Sequence, residues 1–487
     1  MLEALGQEDF GLYGVIGGLV VFVSIINSLL GSAVSRFYAV SVGAANVAED
    51  KAKAIETCRQ WFTSAVLVHA IVPIVLILVG WPLGEYAIHE GWIVVPSDRL
   101  SSCIWTFRFS CVACFVGMVT IPFSAMYTAR QYIAELTVYS VVTTTCNMMF
   151  FYYMVTHPGD WFSRYAAWMS ISAILPALII AMRAYSIFPE CRFSSRDRWD
   201  VARIKKLATY AGWQAFGSLG GIFRSQGIAI LLNRRPEFGV MRNSSMTVAT
   251  QLSNHTETLS SSMVGAFQPA IANAWGAKDY VKARSLAFQT CKFGTLLSMI
   301  FVVPLALELP TVLRVWLKEP PIYAAGLCWS VMAMHLIDRT SCGHMLAVNA
   351  SGKVAVYQAF LGGALILTLP IAWLLLYYGF GIYSVGWAMI ITIIVCAWGR
   401  VGFARTIVGM SARKWLWGTL IPVITILCIS AVVGYLPHLV LGSSFLRIIV
   451  TTLVVESVML PLAWFLLLDV SEREYLSLRI VRIVGRV

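Results

Sequence analysis

Charged side chains are scarce in this chain of 487 residues, of which Asp, Glu, Lys and Arg together make up 12%. Soluble domains carry about 25% charged residues, so the chain has too little polar surface to cover a water-soluble fold. Hydrophobic residues reach 59%. They come in runs of about 20 or more, long enough for helices to cross a bilayer core of about 30 Å. The composition excludes a cytosolic enzyme, a secreted disulfide scaffold, a disordered chain and a protein that binds nucleic acid.

The eleven cysteines predict neither a metal site nor a disulfide framework. Most lie inside apolar segments, where a thiol behaves as a small hydrophobic group. The sequence also lacks a DxD acidic pair and a long loop at the membrane surface, which membrane-embedded glycosyl- and acyltransferases usually need. We therefore expect no cofactor, no metal and no enzyme activity, and keep such a transferase only as a remote alternative.

The hydrophobic pattern predicts an all-α, polytopic membrane protein with about thirteen spans. The predicted spans are 11–33, 62–83, 103–126, 133–156, 161–187, 208–232, 240–270, 288–306, 322–347, 354–378, 380–404, 415–436 and 444–468. Helices of this kind satisfy their own backbone hydrogen bonds, which the bilayer interior requires.

Lys and Arg are distributed unevenly over the loops between these spans, and this bias predicts the orientation of the chain. Basic loops stay in the cytoplasm. The richer set contains the loops around Lys51, Arg196, Lys282 and Arg413, and the C-terminal tail. The tail is therefore expected in the cytoplasm and the N-terminus outside. Because residues 1–10 have the character of a loop between two helices, we expect a further helix before the first span.

An internal repeat is visible when the chain is shifted by 233 residues. The shift places Gly43-Ala44 on Gly276-Ala277, and it places Thr57-Cys58-Arg59 on Thr290-Cys291-Lys292. Both copies have the same predicted membrane orientation, because Arg59 and Lys292 each lie at the inner end of a span. Repeats of this parallel kind occur in transporters that bind their substrate between two lobes. We expect an N-terminal lobe (1–187), a cytoplasmic linker (188–207), a C-terminal lobe (208–404) and an additional helix pair with a tail (405–487).

Span 240–270 carries a stripe of polar residues on one helix face. The stripe consists of Asn243, Thr247, Thr250, Asn254, Glu257, Ser261 and Gln268. Steps of three and four residues place them on one side of a helix. An unsatisfied polar group facing lipid would cost several kcal/mol, so the stripe predicts a water-filled lumen, or else hydrogen bonds to neighbouring helices.

Ionisable residues inside other spans predict substrate and ion sites. Arg224 is expected to attract an anion in the lumen, or alternatively to form an ion pair with Glu257 or Asp338. Asp338 and His335 suit coupling to a proton, and Glu257 could share this role. From their positions inside spans, the residues expected to line the lumen and bind substrate are Arg108, Gln214, Arg224, Asn243, Asn254, Glu257 and Arg339. For Arg108 and Arg339, extension of the side chain to the membrane surface is the alternative.

Several ordered segments resemble the polysaccharide (O-antigen) flippases of the MATE-like exporter superfamily, also called the MOP superfamily. Residues 5–39 resemble that family's second helix, and IPFSAMYTARQY (121–132) resembles its third inner-loop region. The second-lobe segments that are similar in order and spacing are GWQAFGSLGGIFRSQGIAILLN (212–233), AFQPAIANAWGAKD (266–279), LRVWLKEPPIYA (313–324) and LIDRTSCGHMLAVNASGKVAVYQ (336–358).

The resemblance implies a two-lobe fold of fourteen helices in the cytoplasmic (inner) membrane of a bacterium. It implies that the protein flips a polyprenyl-diphosphate-linked oligosaccharide from the inner to the outer leaflet for lipopolysaccharide or other surface polysaccharide, coupled to an ion gradient. Arg224 falls in the matching FRSQG segment and Arg36 in the matching SRFYA segment, so both are expected to contact substrate. The partners implied are this lipid-linked oligosaccharide, membrane lipids and the polymerase and assembly proteins of polysaccharide synthesis.

Two other transporters are alternatives to this function. A multidrug or metabolite exporter of the same superfamily would favour carboxylates and aromatic residues in its lumen, whereas arginine is as prominent as acid here. A flippase for a lipid-linked peptidoglycan precursor would have similar physical requirements.

Overall fold

A computed structural model describes residues 2–90, 95–157, 159–193, 200–234, 239–317, 319–474 and 477–478. Within its helices, the side chains of 2–11, 14–25, 233–234, 239–243 and 259 lie outside the description. The described residues form helices joined by short connections, with no strand among them. The predicted all-α class is therefore confirmed.

Nine helical stretches among the described residues are long and apolar enough to cross a membrane. They are Lys51–His89, Leu100–Ala129, Phe162–Ile187, Val201–Leu232, Tyr280–Leu307, Ala355–Tyr377, Tyr383–Val408, Ala412–Val440 and Phe445–Leu467. The other four predicted spans are also helical, within Leu2–Asn46, Ile133–Thr156, Gly239–Gly276 and Ala324–Thr340 followed by Cys342–Ser351. The chain is a multi-pass membrane protein.

The chain divides into two compact units, of which unit 1 comprises Met1–Ala215 and Ala272–Asp279. Its helices are α1 (Leu2–Asn46), α2 (Lys51–His89), α3 (Leu100–Ala129), α4 (Ile133–Thr156), α5 (Phe162–Ile187), a 3₁₀ turn (Pro189–Cys191), the first part of α6 (Val201–Arg234) and the last residues of α7 (Gly239–Gly276). Helix α3 packs against α1, α2 and α5. Helix α2 begins after Asp50, whose carboxylate accepts a hydrogen bond from the Lys53 amide at 3.0 Å.

Unit 2 comprises Phe216–Ile271 and Tyr280–Val487. Besides the rest of α6 and α7, its helices are α8 (Tyr280–Leu307), α9 (Leu309–Leu317), α10 (Ala324–Thr340), α11 (Cys342–Ser351), α12 (Ala355–Ile366), α13 (Thr368–Tyr377), α14 (Tyr383–Val408), α15 (Ala412–Trp415), α16 (Ile421–Gly434), α17 (Leu436–Val440) and α18 (Phe445–Leu462). Two π-helical turns, Leu416–Leu420 and Ala463–Leu467, interrupt the last helices. Helix α6 begins inside the stretch predicted as a linker, and the predicted domain borders stay a prediction.

Within unit 1, α1 and the end of α7 cross at two glycines. A Cβ at Gly43 would lie 1.9 Å from the Asn273 carbonyl oxygen, and a Cβ at Gly276 would lie 1.9 Å from the Val40 carbonyl oxygen. The repeat shift of 233 residues maps Val40 to Asn273 and Gly43 to Gly276, so the two contacts are equivalent. This symmetry is what a repeat related by a two-fold axis produces.

We expect Gly43→Val and Gly276→Val each to destabilise unit 1 by about 1–3 kcal/mol, because the added side chain forces two backbones apart. Since both substitutions widen the same crossing, the double variant is expected to lose less than the sum of the single losses. Thermal unfolding in detergent measures this. Gly117→Val is the matched control, because nothing lies within 4 Å of a Cβ there. A Gly43→Val protein that unfolds at the temperature of the control would contradict the close crossing.

In unit 2, the last helices pack on α8 along an apolar seam. In α8 and just after it, one charged residue precedes the seam and another follows it, and each forms an ion pair. The seam contains Met299, Val303, Val423, Ile426, Val455, Met459, Ala463 and Leu467. Before it in α8, the ammonium group of Lys292 lies 2.9 Å from Asp469 and 3.0 Å from Glu472. After it, Glu308 accepts hydrogen bonds from Arg447 at 3.0 Å and from Thr451 at 2.8 Å. Within unit 2, these contacts attach the last helices to α8 and to Glu308, which follows it.

The pKa of Glu308 allows a prediction of how the stability of these contacts depends on pH. Burial alone would raise the pKa of Glu308. The hydrogen bonds from Arg447 and Thr451 and the charges of Arg447 and His438 outweigh burial and hold that pKa below its ordinary value of 4.5. A lowered carboxylate pKa stabilises the folded state above the ordinary value, and this stabilisation is lost as pH falls through the lowered value.

We therefore expect Glu308→Gln to lower the unfolding temperature at neutral pH by an amount that shrinks as the pH falls below 4.5. Thermal unfolding of both proteins between about pH 7 and pH 3 measures the difference. Glu319→Gln, which removes an exposed carboxylate, is the control. A difference that grows on acidification would contradict the ion pair.

Candidate functional site: a charged cluster in unit 2

Five ionisable side chains from four helices of unit 2 form what we call the charged cluster. Its members are Arg224 on α6, Glu257 on α7, Asp338 and Arg339 on α10, and Arg400 on α14. Three arginines and two carboxylates therefore lie close together on helices that are predicted to span the membrane. Charged groups at this depth are costly, which makes such a cluster a candidate functional site.

Asp338 and Arg400 form the tightest pair in the cluster. Arg400 Nη1 donates to Asp338 Oδ1 at 2.7 Å, to the Asp338 carbonyl oxygen at 3.2 Å and to Ser341 Oγ at 3.3 Å. The side chain of Arg400 is 10% exposed and that of Asp338 24% exposed. Arg339 Nε lies 4.0 Å from the second oxygen of Asp338. Asp338 is thus fixed between two cations.

Arg339, whose Nε lies near Asp338, also forms an ion pair with Glu257. Arg339 Nη2 donates to Glu257 Oε1 at 3.1 Å and to Ser261 Oγ at 3.3 Å. The two partners differ in exposure, since the Arg339 side chain is 7% exposed and that of Glu257 is 51% exposed. One helical turn before Arg339, the buried His335 ring nitrogen Nε2 lies 3.2 Å from Ser260 Oγ.

Arg224 forms neither of the ion pairs predicted as its alternative role, because Arg339 holds Glu257 and Arg400 holds Asp338. Its Nε and Nη1 atoms are buried and have no hydrogen-bond partner among the described residues. The same is true of Arg339 Nε and Arg400 Nε. The charges of Asp338, Glu257 and Arg400 all act on Arg224. The cluster therefore offers four buried guanidinium nitrogens that an acceptor could use.

Close helix packing positions Arg224. One turn before it, a Cβ at Gly220 would lie 2.7 Å from the Gly362 carbonyl oxygen of α12, so α6 and α12 approach each other as closely as glycines permit. Further along α6, a Cβ at Gly227 would lie 2.5 Å from the side chain of Leu369 at the start of α13. These contacts fix the part of α6 that carries Arg224.

Three of the residues predicted to bind substrate lie in unit 1. Arg36 stacks over the Tyr210 ring at 5.3 Å, and Gln214 donates a hydrogen bond to the Tyr210 hydroxyl at 3.0 Å. Arg108 pairs with Glu85, with Nε 2.6 Å from Oε1. Neither role predicted for Arg108, lining the lumen or extending to the membrane surface, includes a pair with Glu85. The substrate roles of all three residues stay predictions.

The polar stripe on α7 is only partly described. Asn254 and Glu257 are exposed, and Thr250, Ser261 and Gln268 are partly exposed, so this face of α7 is not packed against a neighbour over its whole length. The side chain of Asn243 lies outside the described residues.

Arg400 is the member of the cluster that sequence reasoning missed. It lies near the inner end of a predicted span, where an arginine is expected to reach the membrane surface. Its partner Asp338 is 62 residues away. The carboxylate of Asp338, inside a predicted span, was the signal in the sequence that a further cation was needed.

The described residues contain no group of three or more His, Cys, Asp and Glu side chains that could hold a metal ion. Cys111 and Cys114 have CxxC spacing, but both lie on α3 as free thiols in apolar surroundings.

No protein-family profile matches the sequence, and no curated protein matches it. Solved structures do match. An outward-facing multidrug resistance MATE family transporter of the MOP superfamily is 15% identical, with 83% of this chain and 89% of that chain covered and a TM-score of 0.66. The Vibrio cholerae MATE transporter VcmN in its bent form is 15% identical, with coverage of 83% and 93% and a TM-score of 0.66.

A MOP superfamily transporter from Pyrococcus furiosus matches as well, at 15% identity, coverage of 84% and 94% and a TM-score of 0.62. That structure is described as having a binding pocket of reverse polarity that suggests a different function. At these identities the likeness concerns the fold, so the chain has the MATE-like fold that the resemblance implied.

Proposed function

We propose that the protein is an exporter that moves a polyprenyl-diphosphate-linked oligosaccharide from the inner to the outer leaflet by alternating access. The observation that carries this proposal is the excess of arginine in the charged cluster, in which four buried guanidinium nitrogens have no hydrogen-bond partner among the described residues. Hydrogen bonds between a cation and a phosphate are about twice as strong as neutral ones. A diphosphate would satisfy these nitrogens and would itself be compensated while it leaves water.

In this proposal, Arg224 and Arg339 bind the diphosphate, and polar residues such as Gln214 and Asn254 contact the sugars. Arg36 would meet the substrate at the cytoplasmic side and Arg108 on the way out. Coupling to an ion gradient would involve the ionisable residues Asp338, Glu257 and His335. The proposal includes an inner-membrane location with a cytoplasmic C-terminus, and assembly with the proteins that polymerise the exported units.

Multidrug export is the second candidate, and the exposed carboxylate of Glu257 is the observation that favours it. A cationic drug could bind there, and the matching structures include MATE transporters. Arg339 already neutralises Glu257, however, and Arg224 would repel a cation. A flippase for a peptidoglycan precursor would carry the same diphosphate group.

Deletion of the gene in its host tests the proposal. Lipid-linked oligosaccharides would be extracted and assigned to a leaflet, and surface polysaccharide would be measured in strains complemented with wild type or with Arg224→Ala. We expect oligosaccharide to accumulate on the inner leaflet and only wild type to clear it. If surface polysaccharide and leaflet distribution are unchanged in a strain with no second flippase, the result contradicts the proposal and favours drug export.

A further inference from the structure

An apolar groove runs between α2 and α3 in unit 1. Its volume is about 320 Å³, and the side chains that line it are apolar apart from two cysteine thiols and the indole of Trp81. On α2 it extends from Pro73 to Ala87, about 21 Å along the helix axis, and on α3 it extends from Phe107 to Met118. A groove of this length and composition suits a single hydrocarbon chain.

The open side of the groove lies in an apolar surface. Gly80 and Leu83, which line the groove on α2, are both exposed. Val75, Leu78 and Val79, in the same stretch of α2, are each more than half exposed. In a multi-pass membrane protein, an exposed helix face without polar groups lies against acyl chains. A lipid chain can therefore enter the groove from the bilayer.

One end of the groove adjoins an ion pair. Gly84 and Phe107 line this end, where a Cβ at Gly84 would lie 2.2 Å from the Phe107 ring. The next residues in sequence, Glu85 and Arg108, are paired, and Arg108 Nε donates to Glu85 Oε1 at 2.6 Å. The indole of Trp81, which lines the groove, donates to the same oxygen at 2.7 Å. A chain in the groove would therefore have one charge of each sign at its end.

Both charges are open to a further partner. The side chain of Arg108 is 36% exposed and that of Glu85 is 21% exposed. The Arg108 guanidinium lies over the ring of Trp105 at 5.2 Å, and Trp105 is itself half exposed. Tryptophan is enriched where the bilayer meets water, at the depth of the lipid headgroups. The ion pair thus lies at headgroup depth, and the groove leads from it toward the bilayer interior.

We propose that the groove and its ion pair bind a phospholipid with a zwitterionic amine headgroup, such as phosphatidylethanolamine. One acyl chain lies in the groove, Arg108 donates to the lipid phosphate, and Glu85 accepts from the lipid ammonium. A headgroup with one charge of each sign complements the pair, whereas Glu85 repels an anionic headgroup. This lipid site does not depend on the substrate of the proposed function, because contact of Arg108 with a departing diphosphate requires only that the lipid phosphate gives way.

Native mass spectrometry of the purified full chain in detergent tests the headgroup. The protein would be titrated with phosphatidylethanolamine and with phosphatidylglycerol of the same acyl chains. We expect wild type to bind phosphatidylethanolamine about 5-fold more tightly, the upper end for partly exposed ion pairs. Glu85→Gln should abolish or reverse this preference, because Arg108 then favours the anionic lipid. Glu90→Gln, which removes an exposed carboxylate just after α2, should keep the preference of wild type.

Filling the groove tests the position of the chain. Gly80→Phe places a ring in the groove without a backbone clash, because nothing lies within 4 Å of a Cβ at Gly80. We expect both lipids to bind at least about 10-fold more weakly, since each displaced methylene loses apolar burial. Gly117→Phe is the matched control, because a Cβ there is equally free and Gly117 does not line the groove.

Polyprenyl phosphate, which has a long hydrocarbon chain but no ammonium, separates the two sources of such a chain. We expect it to bind wild type more weakly than phosphatidylethanolamine does, and tighter binding would assign the groove to the transported substrate and overturn the proposal. Equal affinity of wild type for the two phospholipids, or a preference that Glu85→Gln retains, would overturn it as well. Equal binding by Gly80→Phe and Gly117→Phe would show that the chain lies elsewhere. Should Gly80→Phe fail to fold, the comparison of headgroups on wild type and Glu85→Gln decides.

Discussion

Replacement of Asp338 by asparagine is expected to destabilise unit 2 by about 3–5 kcal/mol, because it leaves the buried guanidinium of Arg400 without its counter-charge. Among the described residues, the other hydrogen-bond acceptors of Arg400 are the Asp338 carbonyl oxygen at 3.2 Å and Ser341 Oγ at 3.3 Å. Thermal unfolding in detergent, together with the yield of monodisperse protein, measures the loss.

A double-mutant cycle separates this pair from general damage to the fold. Arg400→Gln alone should also be strongly destabilising, whereas Asp338→Asn combined with Arg400→Gln should be more stable than either single variant, since no buried charge is then uncompensated. Single losses that simply add in the double variant would show that the two side chains do not depend on each other.

Arg224→Gln is expected to have the opposite profile, with a large loss of transport and no loss of stability. Two charge-assisted hydrogen bonds to a phosphate contribute roughly 1.5–3 kcal/mol each, so their removal should slow transport more than about 100-fold. The fold does not depend on Arg224 for a hydrogen bond through Nε or Nη1. The unfolding temperature should therefore stay the same or rise.

The initial rate of substrate movement in proteoliposomes measures the effect of Arg224→Gln. Arg224→Lys keeps the charge but not the fork of donors, so we expect it to retain only part of the rate. Arg413→Gln removes an exposed arginine outside the cluster and serves as the control. An Arg224→Gln protein that is inactive because it unfolds early would contradict the role assigned to Arg224.

The helices could be predicted from the sequence because a run of apolar residues in a bilayer has few alternatives to a helix. The polar stripe followed from the same reasoning, but the contact of its member Glu257 with Arg339 was not predicted. Helical periodicity is local, however. It could not pair Asp338 with Arg400, 62 residues away, and without that pair Asp338 was the natural candidate for a partner of Arg224.

The repeat could be predicted from the sequence only in part. The shift of 233 residues identified Gly43 and Gly276 as equivalent positions, but nothing in the alignment indicated that each would contact the helix of the other. That contact depends on how closely two backbones approach, and only the structure shows that a Cβ has no room at either position.

The most direct test of the central claim uses the purified protein in liposomes that contain a polyprenyl-diphosphate oligosaccharide with a fluorescent sugar label. A membrane-impermeant quencher added outside reports the fraction of label that reaches the outer leaflet. We predict faster and more complete quenching with wild type than in empty liposomes, no such gain with Arg224→Gln, and competition by inorganic pyrophosphate. Quenching identical to that of empty liposomes, with a cationic dye transported by the same protein, would contradict the account.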